Sequence, residues 1–338
     1  MPYTLIKGSI HVVGYQPDGD TIRFKPNDRR HLDKLSGPPA KSNGRGHASL
    51  RMEAIDTLET HYEAGGQNLS QPEPFADGAT DRLMELAGIR NVVWSNSRRS
   101  VVSADDGTEG YVLARSVDKF KRVIAFLFAG SASEADGESV FFDGDRLKQC
   151  ANYALAKEGL AYPTFYSGLF ADLRAVLAEG AADARTNGRG LYAVDKTQSG
   201  FEATSLMSIT DQIVMMPKLF RRLSTYIVET GTAQGFKTAL EANEEPVLDL
   251  RTQNITHLDT FIDQTGSTIK LTRAPEELVF DPMPQRTESF ADLLAAGNRF
   301  DAGAFASGAE VGIAGTHSYG FHRRVQRLQH HSQHLSGG

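Results

Sequence analysis

A single cysteine, Cys150, in 338 residues excludes an intrachain disulfide and a Cys-based zinc cluster, a usage that suits a reducing compartment. It lies in LKQCANYALAKEGL, whose apolar spacing is helical, so the expected role is a small buried hydrophobe rather than a catalytic thiol. Long apolar runs are also missing: 40% of the residues are hydrophobic, yet no stretch approaches the length that spans a bilayer, so no membrane partner is expected. Nor is there a basic surplus. The formal net charge of −6 argues against a protein that coats nucleic acid non-specifically, because such binding draws on clustered Lys and Arg, although a local basic cleft is still open to it. The start, MPYTLIKGSIHVVGY, lacks a basic segment followed by an apolar run and a small-residue cleavage site. The expected location is therefore cytoplasmic, with a processed secreted form left open.

What is present reads first as β. LIKGSIHVVGY, DTIRF, LRMEAID, NVVWS and KRVIAFLFAG are rich in β-branched and aromatic residues and are separated by turn formers. Helical spacing follows in ATDRLMELAG (79–88), ANYALAKEGLA (151–161) and FADLRAVLAEGAADAR (170–185). The fold class expected is α+β: a five-stranded barrel of the oligonucleotide/oligosaccharide-binding (OB-fold) type with three helices, plus a mixed α/β accessory region toward the C-terminus. Length favours two domains, and a change of pattern after LYAVDKTQSGFEATS sets a boundary near 196. The expected division is 1–195 as the barrel domain, 196–305 as an accessory domain, and 306–338 as a flexible tail, Gly- and Ala-rich near its start and then basic. His330, His331 and His334 in that tail lack nearby cysteines or carboxylates and make a weak metal site. SITDQIVMMPKLFRRLSTYIVE is expected to be helical with a break near Pro217, and its apolar face is either core or a surface for self-association or a protein partner.

Asp-Gly-Asp occurs twice, at Asp18–Asp20 and at Asp143–Asp145, and each copy is either a metal site or a tight turn. The first has a companion. LRMEAIDTLET, some thirty residues on, brings Arg51, Asp56, Thr57 and Glu59 within one strand and its exit. A hard divalent cation wants oxygen ligands, and Asp20, Asp56 and a carbonyl near Thr57 offer three. Glu59 could then take a proton from an attacking water, and an arginine offers paired donors to phosphate oxygens, which together make the chemistry of phosphodiester hydrolysis.

With DKFKRVIAFLF at 118–128, these residues resemble the staphylococcal nuclease (thermonuclease) family. Three motifs carry the resemblance in order: Asp18-Gly19-Asp20-Thr21, then Arg51 to Asp56-Thr57-Leu58-Glu59, then Asp118-Lys119-Phe120-Lys121-Arg122. It extends through ANYALAKEGLA and GLYAVD and covers about residues 3–195. It implies metal carboxylates at Asp20 and Asp56, a carbonyl ligand at Thr57, a water-activating carboxylate at Glu59 and phosphate-binding arginines at Arg51 and Arg122. It also implies calcium, with another divalent ion as the variant, and endonuclease cleavage of DNA and RNA with little base specificity to 3′-phosphate ends. Phe120, Phe165 and Tyr166 fall where the family sets rings against substrate. Departures are Leu58 for a proline, Lys121 for a glycine, Phe120 for a tyrosine, and longer loops at 26–48, around NSRRSVVSADDGTEG, and at 130–145. The second Asp-Gly-Asp lies in the last of these, where Asp143-Gly144 is expected to turn and Asp145 to cap a helix. The competing class is a non-catalytic nucleic-acid- or protein-binding scaffold on the same barrel.

Overall fold

The computed structural model describes residues 2–281. The expected tail at 306–338, its three histidines, and residues 282–305 of the expected accessory region lie outside the described residues.

A closed five-stranded barrel forms the frame of a mixed α+β structure. Around it run Pro2–His11, Thr21–Pro26, Ala48–Met52, Val123–Ala129 and Thr108–Val117. Pro2–His11 closes the ring by pairing antiparallel on both edges, with Thr21–Pro26 from Gly8↔Pro26 to His11↔Arg23, and with Thr108–Val117 from Thr4↔Ala114 to Ile10↔Thr108. Ala48–Met52 and Val123–Ala129 run parallel in the register Leu50↔Val123. Alternation drives this assembly: Ile22 and Phe24 on one strand and Leu50 and Met52 on the next turn inward, while Thr21, Arg23, Ser49 and Arg51 stay on the outer face. Tyr3, Phe126 and Phe142 fill the interior with edge-on and tilted rings.

Two strand expectations change. In NVVWS only Val93–Trp94 pairs, with Val101–Ser103 outside the barrel. The fifth barrel strand is Thr108–Val117, where Gly110 to Ala114 are all buried. A strand covered on both faces has no alternation to read. The helices form at Glu73–Leu86, directly after Pro72, and at Ala151–Lys157 and Ala171–Thr186. Cys150 is buried, its thiol pushed up to about 12 by burial, and its Sγ accepts the Tyr153 N–H at the start of Ala151–Lys157.

Beyond residue 195 come the helices Leu206–Asp211, Pro217–Thr230 and Phe236–Asn243 and two small sheets. Pro217 opens its helix, as proline does where the N–H has no intrahelical partner. One sheet takes Phe165–Tyr166 as its edge, parallel to Leu278–Phe280. A second hydrophobic core joins Leu58, Leu69, Ala76, Tyr162 and Leu191 to Met216, Leu219, Phe220, Leu223 and Phe280, so it draws on both sides of position 195. The apolar face of IVMMPKLFRRL is buried in this core. All described residues belong to one compact unit.

Candidate active site

Asp18-Gly19-Asp20-Thr21 is a turn whose ends pair, the Asp18 N–H donating to the Thr21 carbonyl at 3.0 Å and the Thr21 N–H to the Asp18 carbonyl at 3.2 Å. Its glycine is required by close approach rather than by a left-handed backbone. A Cβ at Gly19 would lie 2.7 Å from Thr57 Oγ1 and 2.8 Å from Ala79 Cβ. The turn is thus pressed onto the exit of the strand that carries Arg51, and Met52 N–H donates to the Asp20 carbonyl at 2.8 Å.

This docking gathers side chains from two separated segments. Arg51 Nη1 lies 3.4 Å from Asp20 Oδ2, and Arg51 Nη2 lies 3.3 Å from Asp56 Oδ1. Asp20, Asp56 and Thr57 are buried, and Thr57 Oγ1 has no hydrogen-bond partner among the described residues. Glu59 is held from its backbone by the fully buried Gln71, whose Oε1 accepts the Glu59 N–H at 3.2 Å and whose N–H donates to the Glu59 carbonyl at 2.8 Å. A cavity of about 180 Å³ lies next to this cluster, lined by Pro17 and Thr60, the chain neighbours of Asp18 and Glu59, and by none of the cluster's own side chains.

A residue from outside the resemblance completes the cluster. Arg221, on the helix Pro217–Thr230, places Nη1 3.2 Å from Asp56 Oδ1 and Nη2 2.5 Å from Asp56 Oδ2, and Nη1 also bonds Glu59 Oε1. Gln71 ties the two regions together, since its Nε2 donates to the Met215 carbonyl just before that helix. Neither Arg221 nor Gln71 stood out in the sequence. The available signal for Arg221 was a basic residue near the N-terminus of an amphipathic helix, a position that favours acids.

Three carboxyls, those of Asp20, Asp56 and Glu59, therefore meet two guanidiniums, with the Asp18 carboxyl near Asp20 and Glu59. Burial pushes Asp18 well above the usual carboxylate range, with Asp20 and Glu59 adding to the effect. Asp20 is also raised by burial, and the facing Asp56 outweighs part of the help from Arg51. Glu59 is pushed up to about 7, again chiefly by burial, although Arg221 opposes it. Asp56 goes the other way: burial works against its charge, but Arg221 and Arg51 hold it down at about 2.

The third motif is placed differently. Arg122 Nε donates to Asp118 Oδ2 at 2.7 Å, and its guanidinium sits 5.4 Å from the ring centre of Phe120; no hydrogen bond or ion pair joins it to the carboxyl cluster among the described residues. It does precede Val123–Ala129, the neighbour of Arg51's strand, with Ile124 opposite Arg51. Lys121 adopts φ 66°, so this turn accepts a side chain in the left-handed region that usually takes glycine. Of the expected substrate rings, Phe120 is 67% exposed and Tyr166 38%, whereas Phe165 is wholly buried and spent on packing. Among the described residues no three His, Cys, Asp or Glu side chains converge to ligate one ion. No family model matches the chain, and no curated protein matches it.

Proposed function

We propose that this chain is a phosphodiester hydrolase of nucleic acid, built on an OB-type barrel of the staphylococcal nuclease kind. The reading rests on one observation: Asp20, Arg51, Asp56 and Glu59, separated in sequence, share one largely buried cluster. The donor chemistry suits calcium or another hard divalent ion, being all oxygen and acid-rich, with the Thr57 carbonyl as the expected third ligand and the buried Thr57 hydroxyl unpartnered among the described residues. Asp20, Asp56 and Thr57 would hold such an ion, though not while Arg221 grips Asp56. When bound, it would polarise a phosphoryl oxygen.

The chain's own residues carry the remaining roles. Glu59, once ionised and freed of Arg221, accepts a proton from water as the water oxygen bonds to phosphorus; the bond to the 5′-oxygen breaks, and that oxygen takes a proton from solvent. Arg51 donates to the phosphoryl oxygens on which charge gathers. Arg122 joins it by exchanging Asp118 for phosphate, and the exposed Phe120 beside it gives a base or sugar a face to stack on.

Digestion of single-stranded DNA by the purified protein, with calcium and then with chelator, tests this. Calcium-dependent cleavage that Glu59→Gln abolishes is the expected result; cleavage by that variant in chelator would sink the site. The bonds from Arg221 to Asp56 and Glu59 also favour a second reading, a barrel that binds nucleic acid without cutting it. DNA binding with no cleavage at any calcium concentration would select it.

A further inference from the structure

Arg221 reaches the site from a position that an isolated helix would disfavour. The first turn of Pro217–Thr230 has no acidic residue, yet Lys218, Arg221 and Arg222 all lie in its first two turns, next to the partial positive charge of the helix N-terminus. Each is offset by an acid from elsewhere in the chain. Lys218 and Arg222 share Glu245, each at 2.8 Å, and Arg221 takes Asp56 and Glu59. The helix is fixed on the same side by Tyr62 OH against Thr225 Oγ1 at 2.9 Å and by Gln71 to the Met215 carbonyl. Arg221 is therefore a built part of the cluster, with its side chain only 18% exposed.

Its guanidinium occupies both oxygens of Asp56 and one of Glu59. A divalent cation on Asp56 needs the same lone pairs, and two like charges cannot share them. We propose that Arg221 is the resident cation of this site and that a divalent cation binds only by displacing it. Arg221 on Asp56 and metal on Asp56 are then mutually exclusive states. Seated, Arg221 also covers Glu59; displaced, it frees Glu59, so cation binding and exposure of the base are one event. This inference rests on the proposed function for the meaning of the site, but its test does not depend on cleavage.

Calcium binding to the full chain is measured by titration calorimetry for wild type, Arg221→Gln and Arg221→Lys. Removing the competitor should raise calcium affinity at least about tenfold in Arg221→Gln, with Arg221→Lys in between, because a single ammonium cannot hold both Asp56 oxygens and Glu59 together. Arg221→Gln should also melt lower than wild type in chelator and recover with calcium, as a ligand that binds only the folded state requires. Equal affinity in wild type and Arg221→Gln, or no calcium binding by either, overturns the proposal. Should Arg221→Gln fail to fold, hydrogen exchange on wild type decides: saturating calcium should speed exchange in Pro217–Thr230, and unchanged or slower exchange contradicts displacement. Calcium binding that follows this pattern without any DNA cleavage would leave the proposal standing and sink the hydrolase reading alone.

Discussion

In the first Asp-Gly-Asp, Asp20 is buried within reach of Arg51, and Gly19 is wedged against Thr57 and Ala79. In the second, the Asp145 side chain is 95% exposed, with Lys148 Nζ 3.7 Å away, and Asp143 accepts the Arg146 N–H at 2.9 Å to cap the short helix Gly144–Leu147. The cap is thus Asp143 rather than the expected Asp145, which sits inside the first turn. The same tripeptide makes a turn in the first place and, against the expected turn at Asp143-Gly144, the start of a helix in the second, and what each packs against decides its chemistry. Docking onto a strand exit that carries Arg51, Asp56 and Glu59 turns a hairpin into a candidate site; docking at a helix start makes a cap.

The largest difference between the two regions should appear in turnover. Arg51→Ala should lower the rate of DNA cleavage by about 100- to 1000-fold while changing DNA binding less, as for a donor that acts mainly in the transition state. Arg146→Ala, which removes the second region's partner of Glu134, should leave turnover near wild type. Steady-state kinetics on one oligonucleotide compares the two.

Stability gives the next contrast. Gly19→Ala should cost about 1–3 kcal/mol, because its Cβ meets three atoms closer than 3.0 Å on Thr57 and Ala79. Gly144→Ala should cost less than about 1 kcal/mol, since a Cβ there meets one Val176 methyl and the residue opens a helix. Urea unfolding of both variants measures the gap, and equal losses would mean that the two copies are docked alike.

A pH series sharpens the account of the first region. Asp18, Asp20 and Glu59 bind protons more tightly folded than unfolded, and half-buried Glu53, pushed up to about 7 by loss of solvent, acts with the same sign. Their stabilisation is full below the ordinary carboxylate range and is lost as pH rises through the folded values. Asp56, held down at about 2, is ionised in both states across this window and adds no slope. Urea stability in chelator should therefore fall between about pH 5 and pH 8, by on the order of 1–3 kcal/mol, and Glu59→Gln should flatten part of the fall.

Much of the candidate site was legible because it uses residues whose chemistry is visible in one dimension. Asp20, Arg51, Asp56 and Glu59 fall near turns and strand exits, and the structure brings them into one cluster. The alternating strands were legible for the same reason, since an outer face of Arg23 and Arg51 contrasts with an inner face of Phe24 and Leu50. Thr108–Val117 was not, because burial on both faces erases the contrast. Arg221 and Gln71 were not either. Each acts through a partner more than a hundred positions away; the local hint at Arg221, a basic residue near a helix N-terminus, does not name its partner, and Gln71 has no such hint.

In the proposed function the first Asp-Gly-Asp is the copy that acts. Cleavage of single-stranded DNA in calcium by Asp20→Asn, set beside the double variant Asp143→Asn with Asp145→Asn, tests that most directly. Loss of cleavage in the first and retention in the second is the predicted result. Retention by Asp20→Asn, or equal loss in both, would contradict it.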